Sequence, residues 1–367
     1  TEEKIMSAKI IAFFNNKGGV GKTSLVYHLA WMYQDLGLRV VAADLDPQAN
    51  LTTAFLDEER LEQIWLGNSE PTTVFDCVQP LLKGTGDIDN PHLEYIPEYE
   101  NLALLVGDLA LAGFEDELSA QWPNCLGGGG QERAFRVISA FWRILQQTVV
   151  KHQANVILMD LGPNLGAINR AALIAADYIV VPLAPDLFSL QGLRNLGPTL
   201  RNWRTDWEER LSKINSSGKK SLAKDLQLPQ GTMQSVGYIV LQHSVRLDRP
   251  VKAYERWIAR IPTVYRQDVL DQPGENLISI ENDPNCLALL KNYQSLMPMA
   301  QEAHKPMFYL KPADGAIGAH TKVVRNVYDD FKKLAYKIAE RTQVNIPEIN
   351  SSSHTREVQS FLFLENS

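Results

Sequence analysis

The stretch NNKGGVGKTS, Asn15 to Ser24, decides how the rest of the chain is read. It follows the apolar run KIIAFF (Lys9 to Phe14) and precedes SLVYHLAWMYQDLG, in which apolar residues recur at helical spacing up to a stop at Gly37. A glycine-rich turn between a strand and a helix lets successive backbone N–H groups face a phosphate, with the positive end of the helix behind them. Gly18, Gly19, Val20 and Gly21 supply those donors, Lys22 is placed to reach the β- and γ-phosphates and Thr23 to ligate Mg2+, and Ser24 is counted with them among the cofactor-binding residues. Two departures stand out against the pattern G-x-x-x-x-G-K-[ST]. Its first glycine position holds Asn16, and Lys17 adds a lysine that cradling one phosphate does not require.

The 367 residues, 45% of them hydrophobic, suffice to bury a sizeable core as one large domain or two. The residues before Lys9 lack the apolar segment of a signal peptide, and no run approaches the ~20 residues of a membrane span, so a cytoplasmic location is expected. Cys77, Cys125 and Cys286 are odd in number and far apart, which indicates neither a disulfide framework nor a zinc or iron-sulfur site. A net charge of -7 speaks against coating nucleic acid over the whole surface and leaves room for a local basic patch.

Short apolar runs alternate with helical patterns, the order expected of an α/β fold: a mostly parallel sheet with helices on both faces. Besides KIIAFF, the candidate strands are RVVAAD (Arg39 to Asp44), LALLV (Leu102 to Val106), NVILMD (Asn155 to Asp160), YIVVP (Tyr178 to Pro182), SVGYIVL (Ser235 to Leu241) and MFYL (Met307 to Leu310). Nearly all are apolar without alternation, as in strands covered on both faces. Three stretches read as insertions or loops: GNSEPTTVFDCVQPLLKGTGDIDNPH, WPNCLGGGGQE and NSSGKKSLAKDLQLPQG.

Two carboxylates join the glycine-rich turn. In VVAADLDPQ a strand runs into Asp44-Leu45-Asp46-Pro47-Gln48, and Asp46 stands where it can orient an attacking water and sit near Mg2+. In NVILMDLGPN four apolar residues lead to Asp160, whose carboxylate is placed to hold a metal-bound water, and Gly162-Pro163 open a loop able to respond to the γ-phosphate. Alone, either motif is common; in this order with the turn, the set is specific.

Together KGGVGKTS, DLDPQANLT, DLGPNLGAINRAALIAADYIVVPLAPDLFSLQGLRNL and AQEAHKPMFYLKPADGAIGAH resemble the ParA/MinD family of deviant Walker A P-loop ATPases, and within it the ParA branch of chromosome and plasmid partition. The resemblance implies a slow Mg-ATP hydrolase, stimulated by a ParB-like or other partner protein, that forms a homodimer in the ATP state. It implies that Lys17, beside Lys22 and Asp46, serves catalysis by reaching across the dimer to the partner's nucleotide. A cation at the tip of the loop can indeed neutralise a second triphosphate brought face to face. The expected layout is one such ATPase domain over 1–345, with insertions at about 57–100, 112–135, 212–232 and 262–300, and a C-terminal extension at 346–367. The family's D-x-P-P is here Asp160-Leu161-Gly162-Pro163, so a more mobile loop is expected, and the residues before Lys9 leave no room for a helix-turn-helix domain.

ParA proteins bind DNA nonspecifically through basic residues. Arg249, Lys252, Arg256 and Arg260 recur at three- and four-residue steps in RLDRPVKAYERWIARIP, opposite Val251, Tyr254, Ile258 and Ile261, and Arg194, Arg201 and Arg204 form a second set. Each set is also what a solvated helix face looks like, with Asp248 and Glu255 near the first. Positioning of DNA or another cargo on the nucleoid is the expected output; the alternative is a nucleotide-switched scaffold that recruits a protein without touching DNA. A membrane partner is not expected, because the tail VQSFLFLENS lacks the basic set of an amphipathic anchor. Gln242 lies where relatives contact adenine and is the candidate base contact, while His28, His152 and His243 read as structural.

Overall fold

The computed structural model of the protein describes residues 8–67, 73–127, 130–216, 226–241, 251–272, 274, 278–291, 293 and 296–347. In chain order the strands are β1 (Lys9–Phe13), β2 (Val40–Asp44), β3 (Glu94–Tyr95), β4 (Leu102–Leu105), β5 (Val156–Asp160), β6 (Tyr178–Leu183), β7 (Gln234–Leu241) and β8 (Cys286–Leu290). They form one sheet in the order β3-β4-β2-β5-β1-β6-β7-β8. The strands pair in parallel except for β3 against β4.

Both faces of this sheet are covered, which is why its strands read as unbroken apolar runs. Ile10, Ala12, Val41, Ala43, Ile157 and Met159 point into one core. That core is shared with α4 (Val74–Lys83), α5 (Phe114–Asn124), α6 (Gln131–Ile138), α7 (Ala140–His152), α8 (Ala167–Ala175) and α9 (Leu187–Ser216). The intervening Ile11, Phe13, Val40, Ala42, Val156 and Leu158 point into the other. There they meet α1 (Lys22–Asp35), α2 (Asn50–Phe55), α3 (Glu58–Trp65) and the helix Ala319–Thr342. The register pairs Phe13 with Asp160 and Asp44 with Asp160, so the carboxyl ends of β1, β2 and β5 lie level at one edge. In open parallel sheets that edge is where ligands bind.

Several expectations change. MFYL is not a strand: Met307–Tyr309 is a 3-10 turn. Its polar groups bond to α1 instead of a sheet neighbour: the Met307 N–H donates to His28 Nε2 at 3.1 Å and the Tyr309 hydroxyl to Asp35 Oδ1 at 3.0 Å. The place beside β7 is taken by β8, from within the stretch read as the 262–300 insertion, so part of that stretch belongs to the central sheet. The first Gly- and Pro-punctuated stretch holds α4, started by a capping box in which Thr73 and Asp76 each bond the other's backbone N–H. Val344 is buried and Ile346 packs against the α1-side core, so packing runs past the expected boundary at 345. All three cysteines are buried free thiols. No helix among the described residues is long and apolar enough to cross a membrane.

Candidate functional site

The glycine-rich turn leaves β1 at its carboxyl end and is fixed from beneath by Asn15. This buried amide donates to the Pro182 carbonyl at 2.7 Å and accepts the Lys17 N–H at 3.1 Å. Gly19 and Gly21 have φ of 69° and 78°, a left-handed conformation that side-chain-bearing residues rarely adopt. At Gly21 a Cβ would also lie 2.7 Å from Leu241 Cδ1. Gly18 and Gly19 are exposed, Val20 is buried, and Lys22, Thr23 and Ser24 form the first turn of α1. The Lys22 ammonium folds back over the turn, donating to the carbonyls of Asn15 at 3.3 Å and Lys17 at 3.2 Å. Burial pushes its pKa below the ordinary lysine value, against the pull of Asp160 and Asp46.

Behind the turn stand three carboxylates. Thr23 Oγ1 donates to Asp160 Oδ2 at 2.6 Å, which directly joins two of the three expected metal-binding residues, Asp46 being the third. Asp160 Oδ1 is buried and has no hydrogen-bond partner. Burial, followed by repulsion from Asp44, pushes the Asp160 carboxyl well above the ordinary range despite the Thr23 bond. Asp46 is buried too, with Oδ1 accepting the Gln48 N–H at 3.0 Å. It lies close against the loop after β5: a Cβ on Gly162 would sit 3.1 Å from Asp46 Oδ1. Asp44 accepts both the N–H and the hydroxyl of Thr52 at 2.8 Å, and Thr52 Oγ1 in turn accepts the Gly107 N–H at 2.8 Å. Asp44 thereby ties β2 to α2 and to the loop after β4 on either side of Asp46.

This donor set fits a triphosphate with a divalent cation. A buried carboxylate oxygen without a donor is costly unless a proton or a cation compensates it, and the Thr23 hydroxyl beside it is the oxygen that a cation would share. Lys22 meets only backbone carbonyls at long distance, a position from which an ammonium can turn to a phosphate. Among the described residues, no His/Cys/Asp/Glu cluster of the kind that binds a metal through protein ligands alone occurs. Phosphate-bound Mg2+ needs no such cluster, because it takes one or two protein ligands plus phosphate and water.

Lys17 points to a partner in its own chain. Its ammonium pairs with Asp186 Oδ2, both side chains being part-buried, and lies 6.0 Å from the centre of the exposed Phe188 ring. Burial opposes the charge on Asp186, but Lys17 and the Ser189 N–H outweigh it and hold the carboxyl below its ordinary value. A Lys17 side chain that is to reach another subunit must first leave Asp186.

The basic sets fare differently. Arg256 and Arg260 are exposed on and just after the helix Val251–Ile258, flanking Trp257 at 5.1 and 5.5 Å, and the half-buried Trp257 and Ile258 pack on the core. Lys252 lies in that helix, whereas Arg249, Gln242 and His243 lie outside the described residues. The second set is not a free stripe. Arg201 donates to the Asp268 carbonyl at 2.9 Å and Arg204 to the Met233 carbonyl at 3.2 Å, while Arg194 is exposed with Asp268 Oδ2 at 3.9 Å. Guanidinium groups held by carbonyls staple α9 to its neighbours. His28 and His152 are structural: His28 Nδ1 bonds the Ser24 carbonyl at 2.7 Å, and His152 Nε2 bonds that of Asn101 at 3.1 Å.

Sequence reasoning assigned no role to Asn15, Asp44, Asp186 or Glu115, the last of which accepts the Ala167 and Ile168 N–H groups at the start of α8. Asn15 and Asp44 carried a signal, being polar residues at the ends of apolar strands. Asp186 and Glu115 act on partners far away in sequence, so spacing could not find them.

A family model described as an AAA domain matches residues 8–213, from the start of β1 to near the end of α9. The sporulation initiation inhibitor protein Soj of Bacillus subtilis is 31% identical over 193 residues, 53% of this chain and 65% of its own length. The chromosome partitioning protein ParA of Caulobacter vibrioides is 28% identical over 207 residues, 55% of this chain and 66% of its own. The chain thus spans just under two thirds of these relatives. In three dimensions a Corynebacterium diphtheriae protein superposes with a TM-score of 0.64 at 24% identity, covering 91% of this chain and 98% of that one. With the glycine-rich turn, its added lysine and the strand-end aspartates in the same order and at the same sheet edge, the chain belongs to the ParA/MinD family of deviant Walker A ATPases.

Proposed function

We propose that the protein binds ATP with Mg2+, forms a face-to-face homodimer in that state, and hydrolyses ATP slowly until a ParB-like or other partner protein stimulates it. The observation that carries this reading is the gathering of Lys22, Thr23 and Asp46 near the Asp160 carboxylate, whose Oδ2 accepts from Thr23 and whose Oδ1 is buried without a donor. Lys22 binds the β- and γ-phosphates, and the N–H groups of Gly18 to Gly21 orient them. Thr23 and Asp160 would hold the cation. Asp46, close to the Gly162 backbone, positions the attacking water. Mg2+ in this place supplies charge neutralisation across the phosphates. Lys17, released from Asp186, stabilises the triphosphate of the facing subunit.

The output we propose is switched, nonspecific DNA binding that positions DNA or another cargo on the nucleoid, in the cytoplasm; the name of the Caulobacter relative, a chromosome partitioning protein, supports the positioning part of this reading. The surface for DNA is the exposed Arg256 and Arg260 with Arg249 and Lys252. The alternative, a scaffold that recruits a protein and ignores DNA, is favoured by one observation: Arg201 and Arg204 are committed to backbone carbonyls. The nucleotide claim is tested with a fluorescent ATP analogue. Parent protein should bind it with Mg2+ and Lys22→Ala should not; equal binding by both would refute the assignment of the site.

A further inference from the structure

We infer that Glu115 is a positioning residue for hydrolysis, through which the 112–135 stretch acts on the nucleotide site. Glu115 is the second residue of α5 and half-buried. Its Oε1 accepts the Ala167 N–H at 2.5 Å and its Oε2 the Ile168 N–H at 2.8 Å, so one carboxylate occupies the first turn of α8. Negative charge at a helix N-terminus satisfies orphan donors and complements the helix dipole. The preceding Gly166 leaves the room: a Cβ there would lie 2.6 Å from Glu115 Oε1.

What α8 anchors is the loop that runs back to Asp160. The loop is closed on itself by two asparagines. Asn164 Oδ1 accepts the Gly166 N–H at 2.9 Å, and Asn169 Nδ2 donates to the carbonyls of Gly162 at 2.9 Å and Asn164 at 2.7 Å. Its near end lies close to both parts of the site: a Cβ on Gly162 would sit 3.1 Å from Asp46 Oδ1, and one on Gly18 would sit 3.8 Å from Pro163 Cγ. Glu115 fixes α8, α8 fixes Asn169, and Asn169 holds the Gly162 carbonyl. The inference rests on the ATP-hydrolysis reading for its effect on turnover, while the hold on the loop stands on the contacts themselves.

The test compares the full chain with Glu115→Ala and Glu115→Gln. Glu117→Gln is the control, since its ion pair with Arg133 at 2.8 Å lies on the same helix. Steady-state ATP hydrolysis with Mg2+ gives kcat and KM separately, and hydrogen exchange reads the backbone of residues 161–168 without nucleotide. Loss of a helix cap predicts a kcat about two- to thirtyfold lower in Glu115→Ala with KM within about twofold. The fall should be smaller in Glu115→Gln, which keeps one acceptor, and absent in Glu117→Gln. Exchange over 161–168 should quicken by a similar factor only in the Glu115 variants. Parent-like kcat in Glu115→Ala, or an equal fall in Glu117→Gln, overturns the inference. A parent without ATP turnover would instead sink the hydrolysis reading, and unchanged exchange in Glu115→Ala would then overturn the hold on the loop as well.

Discussion

His28 ties α1 to the 3-10 turn Met307–Tyr309, and its titration sets a limit on stability at low pH. It is buried, stacks on Phe331 with ring centres 5.0 Å apart, and is held as the Nδ1–H tautomer between the Ser24 carbonyl and the Met307 N–H. An imidazolium could not accept from Met307. Burial, the main cause, lowers the pKa from 6.5 to about 4. In the unfolded chain the ring keeps its ordinary value, so between those limits the unfolded state binds the extra proton. The contribution is therefore fully present above pH 6.5 and is lost as pH falls toward 4. By linkage the loss amounts to about 2 kcal/mol between pH 7.5 and 5, and about 3 kcal/mol at the acid limit. Urea unfolding of parent and His28→Gln at pH 7.5, 6 and 5 isolates the term, because glutamine can still offer Met307 an acceptor but does not titrate. The stability difference between the two proteins should change by about 2 kcal/mol in favour of the variant as pH drops. A difference that is constant with pH would refute the assignment of a neutral buried His28.

Other outcomes follow from the site. Gly21→Ala places a Cβ at φ 78° and against Leu241; it should cost about 1–3 kcal/mol of stability and abolish ATP binding, read by thermal unfolding and analogue fluorescence. Lys17→Ala should bind nucleotide yet remain monomeric, and a normal ATP dimer in that variant would refute the cross-subunit role. Asp186→Asn keeps the cap on α9 while freeing Lys17. Losing a part-buried ion pair of roughly 1 kcal/mol in each of the two subunits should tighten the ATP dimer about thirtyfold in sedimentation, and a weaker dimer would contradict this. Replacing Arg249, Lys252, Arg256 and Arg260 together by glutamine should remove ATP-dependent DNA retention and its salt dependence; retention unchanged at low and high salt would move the reading to the protein recruiter.

How much was legible follows from the physics of each element. β1, β2, β4, β5, β6 and β7 were readable because strands buried on both faces must be apolar throughout and bounded by turns. β8, CLALL, lacks β-branched and aromatic residues and looks as helical as extended. MFYL has strand-like composition, yet the partners of its polar groups lie on α1, which no local pattern discloses. Among the candidate site residues, Lys22, Thr23, Asp46 and Asp160 could be singled out because phosphate chemistry calls for those types just past the carboxyl ends of strands, here β1, β2 and β5, which lie side by side. Lys17 was legible as an anomaly but not its partner Asp186, since the two are 169 positions apart. Glu115 was invisible for the same reason: its partners are 52 and 53 positions away. Arg201 and Arg204 looked like a surface stripe because sequence spacing says which face a residue occupies and not which carbonyl waits there.

The measurement closest to the central claim is light scattering coupled to size exclusion on Asp46→Ala, with and without Mg-ATP and with short duplex DNA present. The account predicts a monomer without nucleotide and, with Mg-ATP, a stable dimer that carries the DNA. A protein that stays monomeric in every condition would contradict the face-to-face switch.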